Sequence, residues 1–299
     1  MRIPLANSSA MRNRPEGRTQ TSRARFNGPT LLRLWHLTSL DAPTVAVVWS
    51  LSFAWAAGVT LPKWVPVLLV LGTWAVYVCD RLLDARAAFC SGNLCALRER
   101  HFFHWRHRGV LAPLACCAAV IAAGIVFSLM PPVVRERNSM LAVAALAYFS
   151  GVHIPRVRPK SPIPFRSKEL LVGVLFTAGC AFPVFARIHE PVDSVMDLLI
   201  LAIFFAALAW LNCTAIDRWE SPEGTSISSA AFALAATGLL AAIAFSVHQP
   251  RIAAVIFAGT ASASLLGLLD LKRSRITPLT LRCAADLVLL APILCLFLR

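Results

Sequence analysis

The strongest constraint on this chain is a succession of apolar runs, each about as long as a helix that crosses a bilayer. Such a helix needs about 20 apolar residues. Nine runs meet that length, at 42–61, 64–83, 110–130, 138–154, 169–187, 195–216, 228–247, 251–270 and 278–298; the fourth is the shortest of the series. They are continuous rather than alternating, which selects helices over the strands of a membrane barrel. Of the 299 residues, 58% are hydrophobic and only 15% are charged, more apolar surface than a soluble domain can bury. The expected fold is all-α, a multi-pass membrane bundle of about nine transmembrane helices in one domain over residues 31–299. Residues 1–30 are polar and rich in Arg and Ser, and read as a disordered basic N-terminal tail. The tail lacks a signal-peptide core, and its scarcity of acids, Glu16 alone, also fits an organelle transit peptide.

The basic residues fix an orientation. Arg and Lys concentrate in the tail and after the second, fourth, sixth and eighth runs. Examples are Arg86, Arg98, Arg100, Arg106 and Arg108 after the second, and Lys272, Arg273 and Arg275 after the eighth. Counted this way, about 21 lie on one side against 6 on the other. The positive-inside rule then places the N-terminus in the cytoplasm, with a bacterial inner membrane as the expected location. The net charge of +14 follows from these loops and does not call for nucleic acid. Within them, Leu97–Arg108 interleaves Phe102, Phe103 and Trp105 with cations. It reads equally as an interfacial helix or as an irregular basic loop.

Acids in or beside a membrane span cost about 2.5–3.5 kcal/mol at a helix centre, so their positions carry information. Asp80 and Asp84 close the second run at a spacing of four, on one helix face. Asp217 and Glu220 close the sixth run at a spacing of three. By the charge topology, both pairs meet the same membrane surface. Paired carboxylates flanked by cations suit Mg²⁺ together with phosphate oxygens. The alternative is local pairing of Asp80 and Asp84 with Arg81 or Arg86. Asp286 lies inside the last run, four residues after Arg282, where an intramembrane ion pair is expected. Cys90 and Cys95, followed by His101, His104 and His107, supply zinc-type ligands without a zinc-type spacing. Most other cysteines sit in apolar runs as small hydrophobes.

These residues resemble the UbiA superfamily of intramembrane prenyltransferases, whose two Asp-rich motifs close the second and sixth of nine helices. The first motif, NxxxDxxxD, matches VYVCDRLLD through Asp80 and Asp84; the second matches DRWE through Asp217 and Glu220, followed by Gly224–Ser226. RSKELLVGVLF, from Arg166 to Phe176, is similar to the family's Lys-containing entry into its fifth helix. The chain departs from the pattern at Val76 in place of Asn, near Trp210 and Cys213 in place of an Asp and a Tyr, and at Glu220 in place of Asp.

The resemblance implies Mg²⁺-dependent transfer of a polyprenyl group from an allylic diphosphate to a lipophilic or aromatic acceptor. Asp80, Asp84, Asp217 and Glu220 would hold the metal, and Lys168 and Arg166 the phosphates. Asn212 and Tyr77 would be polar neighbours at the substrate. A catalytically inactive lipid-binding relative and a transporter are the alternatives. Phosphatidyl-alcohol transfer needs an Asp-Gly start where this chain has Asp80-Arg81.

Overall fold

The structure is a computed structural model that describes residues 30–91, 97–136, 138–140, 143, 147, 166–188, 192–221 and 224–297. The tail and most of the fourth expected span, 138–154, lie outside the described residues. So do the side chains of Arg166 and Lys168. The described residues form ten α-helices: α1 Thr30–Leu37, α2 Asp41–Ala56, α3 Trp64–Ser91, α4 Glu99–Arg106, α5 Arg108–Leu129, α6 Arg166–Phe185, α7 Val192–Glu220, α8 Ser228–Phe245, α9 Pro250–Leu271 and α10 Pro278–Val288. Two 3₁₀ segments follow α9 and α10, at Arg273–Arg275 and Ala291–Phe297. No strand occurs among the described residues.

Six stretches are long and apolar enough to cross a membrane: Trp64–Cys90, Arg108–Leu129, Val195–Glu220, Ser228–Phe245, Pro250–Leu271 and Pro278–Phe297. A seventh is available if α1 and α2, which meet at 90°, form one broken span; α6 contributes a shorter apolar helix, Glu169–Phe185. The outward faces of these helices carry large apolar side chains such as Val120, Phe127, Leu240, Ile243 and Phe257, all exposed. So many exposed large apolar side chains on long apolar helices belong in lipid rather than water. The chain is a multi-pass helical membrane protein.

The core sits among α2, α7 and α9. Trp49 stacks on Phe205 with ring centroids 3.8 Å apart and planes 14° from parallel, and Phe53 meets Phe205 edge-on. Small residues let the helices approach, as is common where lipid removes the hydrophobic drive for association. One glycine set directly against the backbone of another helix is Gly173 on α6. A Cβ added there would lie 2.9 Å from Trp210 N and 3.1 Å from Ala206 O, both on α7.

Two apolar helical stretches are interrupted, and each interruption is satisfied internally. At the α1–α2 elbow, Ser39 adopts a left-handed φ of 62°. Thr38 donates to Leu34 O, Trp35 Nε1 donates to Thr44 Oγ1 at 3.1 Å, and Trp74 Nε1 of α3 donates to Thr38 O at 2.9 Å. In the last span the α-helix ends at Val288 and the chain continues as 3₁₀. Two carbonyls at that change are capped from other helices: Ser262 Oγ donates to Val288 O at 2.6 Å, and Trp49 Nε1 donates to Leu289 O at 2.9 Å. Backbone groups inside a bilayer have no water to turn to, so such side-chain donors make the break tolerable.

The α6–α7 contact gives a direct test. Gly173→Ala forces a methyl against Trp210 backbone that cannot swing aside, and overpacking of this kind costs about 1–3 kcal/mol. The variant should melt at lower temperature in detergent, whereas Gly124→Ala, where an added Cβ meets nothing within 4 Å, should not. Equal melting of the two would contradict the packing.

Candidate functional site

α4 lies between the two acid-bearing helix ends. Its residues are strongly polar, yet His101 and His104 are buried while Phe102 is exposed. Phe89 of α3 stacks on Trp105 at 4.8 Å and meets Phe102 edge-on, which pins α4 against the end of α3. The segment that the sequence left between helix and loop is therefore a packed helix.

From this position α4 touches both acid pairs. His101 Nε2 lies 3.8 Å from Asp84 on α3. Arg98 donates to Glu220 O at 2.9 Å, with its Nε 3.4 Å from Oε2. Arg100 NH1 stands 3.2 Å from Glu220 Oε1, and Arg282 of α10 reaches the same oxygen at 2.5 Å. Three guanidiniums from two elements thus surround one carboxylate, leaving local positive charge in excess. Burial, eased in part by Glu220, pulls the Arg100 guanidinium down to about 10, so it is still charged at neutral pH. Next to this cluster, α4 joins α1 through the Arg33–Glu99 ion pair.

Glu220 itself is taken up by arginines, and Arg282 pairs with it rather than with Asp286. The sequence spacing had suggested an Arg282–Asp286 pair. Asp286 instead accepts from Asn212 Nδ2 at 3.2 Å and lies 3.8 Å from His36 Nδ1. Of the four predicted metal ligands, Asp84 is exposed, while Asp80, Asp217 and Glu220 are half-buried. Among the described residues, the one group bringing three ligand atoms within 4.8 Å of one another is His36, Asp41 and Asp286. The predicted acids therefore do not form a preformed three-ligand cage. Two carboxylates one turn apart on α3 still fit a hard ion that keeps waters and phosphate oxygens in its shell. The fit is weaker at Glu220, whose oxygens already accept from cations.

Behind the acid ends, one buried network ties the elements together. Arg81, 4% exposed, follows Asp80 in sequence but turns toward the elbow. Its NH1 donates to Ser39 Oγ at 2.7 Å and His36 O at 3.1 Å, and its NH2 stands 3.6 Å from Asp41. Asp41 also receives His36 Nδ1 at 2.7 Å and Ala42 N at 3.0 Å. Ser39 Oγ lies 3.0 Å from His104 Nε2, and His104 Nδ1 lies 2.8 Å from Arg100 O. A carbonyl only accepts, so Nδ1 of His104 carries the hydrogen; Nε2 of the neutral ring then accepts from Ser39. Desolvation, aided by Arg81 and Arg100, holds His104 down at about 4 and keeps it neutral. Desolvation and the same arginines lower His101 to about 3.

The histidines that the sequence offered as zinc ligands are thus engaged in protein contacts. His101 Nδ1 accepts from Arg98 N at 3.1 Å, and His107 Nδ1 bonds Phe103 O at 2.8 Å. Cys90 is exposed, and Cys95 lies outside the described residues.

Deeper in the bundle, α2, α3, α6, α7 and α10 line a partly open cavity of about 40 Å³. Tyr77, Asn212, Cys213 and Asp286 are its polar lining, against Val45, Phe176 and Leu289 among others. Tyr77 and Asn212, expected from the sequence as polar neighbours of a substrate, both face it. No spacing or motif points to His36, Ser39 or Asp41, because their roles arise from the elbow. One further acid escaped notice: Asp270 accepts from Trp219, Ser226 and the N-terminal amides Ile227 N and Ser228 N, capping α8 and fixing the loop after Glu220.

Comparison with protein-family models, characterised proteins and solved structures finds no match to this chain.

The His104 link has a defined pH dependence. Its folded value lies below the ordinary histidine value of 6.5, so the folded state binds fewer protons between pH 6.5 and 4. The stability it contributes is full above pH 6.5 and is lost as pH falls toward 4. The melting temperature should fall over that window, and His104→Gln, which cannot be protonated, should shrink the fall. An unchanged slope in the variant would contradict the assignment.

Proposed function

We propose that the protein binds a polyprenyl diphosphate and transfers its prenyl group to an acceptor within the membrane. The observation that carries this reading is the bridge made by α4. It joins an acid-bearing end of α3 to the end of α7, where Arg98, Arg100 and Arg282 gather more positive charge than Glu220 neutralises. A polyanionic head beside a bundle with an apolar interior fits a ligand of that shape. The acid motifs and their order along the chain agree with the family resemblance. The full complement of nine spans and a cytoplasmic position for this face belong to the same proposal.

In the reaction, the allylic C–O bond breaks and its electron pair leaves with the diphosphate. The allylic carbon then bonds to a nucleophilic atom of the acceptor, which loses a proton. Asp80, Asp84 and Asp217 would hold Mg²⁺, which when bound adds charge neutralisation on the leaving group. Arg98, Arg100 and Arg282 supply fixed cations on the same side, and Arg166 and Lys168, at the start of α6, are assigned to the phosphates by position in sequence. Glu220 acts here as the counter-charge that gathers the arginines. The helices around the apolar tail exclude water from the allylic cation.

A second reading, a lipid-binding relative without turnover, is favoured by the engagement of Glu220 with three arginines and by Val76 at the motif's Asn position.

Binding of geranylgeranyl diphosphate to the purified protein, with Mg²⁺ and with chelator, tests the proposal. The expected result is binding that weakens at least tenfold on chelation. Asp84→Ala should abolish the Mg²⁺ dependence, and Arg100→Gln should weaken binding in both conditions, since truncating a charged partner costs about 2–5 kcal/mol. Binding indifferent to metal and to Asp84 points to the second reading; no binding overturns both.

A further inference from the structure

The arginine cluster at the end of α7 already holds an anion, and that anion is part of the chain. Arg100 NH1 and Arg282 NH1 donate to Glu220 Oε1 at 3.2 and 2.5 Å, and Arg98 Nε lies 3.4 Å from Oε2. Both carboxylate oxygens face guanidinium nitrogens, as the oxygens of a bound oxyanion would. Yet the carboxylate matches its surroundings poorly. It brings one negative charge to three cations. Arg100 and Arg282 each donate to it from a single nitrogen, not through the paired fork that a guanidinium offers a phosphate. Donors are also left over: Arg282 Nε is buried without a hydrogen-bond partner, as is Arg33 Nε at the edge of the cluster. An unmet donor on a charged group is costly, so it points to an acceptor that the carboxylate does not supply.

Glu220 is also placed where its side chain can give way. It is the last residue of α7, where the negative end of the helix dipole opposes a carboxylate. Its side chain is 19% exposed, so the cluster is reached from the surface. Arg98 NH2 holds the Glu220 backbone carbonyl at 2.9 Å, a bond that does not depend on the carboxylate.

We infer that Glu220 is the resident occupant of an oxyanion site, and that a phosphate-bearing ligand binds by displacing its carboxylate from Arg98, Arg100 and Arg282. The ligand class rests on the diphosphate reading above; the occupancy of the site rests on the ion pairs. A diphosphate carries more charge and more oxygens than a carboxylate, so it takes up the donors that Glu220 leaves unused. Exchanging one anion for another keeps the arginines countered before the ligand arrives and after it, and the bundle end never carries bare cations. Affinity is lower as a result. The ligand meets a site that is competent only while Glu220 is withdrawn, and its apparent dissociation constant rises by the reciprocal of that fraction. The metal role that the family resemblance implies for Glu220 has the opposite effect. A metal ligand helps a diphosphate to bind, and only when metal is present. A resident anion hinders it, with metal or without.

The test measures binding of inorganic diphosphate to the full chain in detergent, by calorimetry, in EDTA and at constant ionic strength. Glu220→Gln keeps the shape and removes the charge. It should bind at least about tenfold more tightly than the wild type, as expected if the site is open for less than about a tenth of the time. Glu220→Asp keeps the charge but withdraws it by one methylene; it should fall between the two, and it decides the matter if the Gln variant does not fold. Adding Arg282→Gln to Glu220→Gln should remove the gain. Binding to the Glu220 variants that is equal to the wild type or weaker, or no binding of diphosphate to any of these proteins, overturns the inference. Geranylgeranyl diphosphate on the wild type with Mg²⁺ separates the two readings. Its failure to bind, beside a tighter complex of Glu220→Gln with inorganic diphosphate, removes the prenyl ligand and supports the resident anion.

Discussion

Arg81 is the group on which the rest of the arrangement depends. A buried guanidinium in a membrane bundle is costly unless donors and counter-charge are placed around it. Here they come from one bend: Ser39 Oγ, the His36 carbonyl and the Asp41 carboxylate. The bend includes a non-glycine residue with a left-handed φ, which isolated chain avoids by about 1–2 kcal/mol. The hydroxyl of Ser39 explains why the strain is tolerated, for it accepts from Arg81 and donates to His104. Through His104 the network reaches the Arg100 carbonyl, and through Arg100 the Glu220 carboxylate. The helix that carries the first acid pair, the elbow and the bridging helix are thereby positioned by one cation.

The second organising feature is irregular backbone where the bundle would otherwise be continuous. The α1–α2 elbow and the change from α-helix to 3₁₀ after Val288 both take backbone groups out of regular α-helix. Each is repaired by side chains from elsewhere, Trp74 at the elbow and Trp49 and Ser262 at the last span. Broken helices in membrane proteins gather where the backbone lines a cavity rather than lipid. The cavity between Tyr77, Asn212 and Asp286 follows that pattern, with one wall at each interrupted span.

The multi-pass fold was legible because an apolar run of helix length has few uses outside a bilayer. The elbow was not, since it precedes the apolar run 42–61 and nothing local marks Ser39 as left-handed; that conformation is held by Arg81 and His104. The site divides in the same way. Spacing put Asp80 and Asp84 on one helix; Tyr77 and Asn212, singled out for their nearness to the acid motifs, line the cavity. It failed at Arg282 and Asp286, where a spacing of four offers a pair but Glu220 and Asn212 are the better-placed partners. The histidines of α4 carried a metal-like composition, while their buried, neutral, hydrogen-bonded state depends on a helix packed against α3.

The most direct measurement is a double-mutant cycle on Arg81→Met and Ser39→Ala, read as unfolding free energy in detergent. If the guanidinium holds the elbow through the Ser39 hydroxyl, the two losses are strongly non-additive, with a coupling of about 1 kcal/mol or more. Arg81→Met alone should be severely destabilising, about 3–5 kcal/mol, because it leaves Asp41 without its cation. Additive effects, or an Arg81→Met protein as stable as the wild type, would contradict the view that this buried cation organises the bundle.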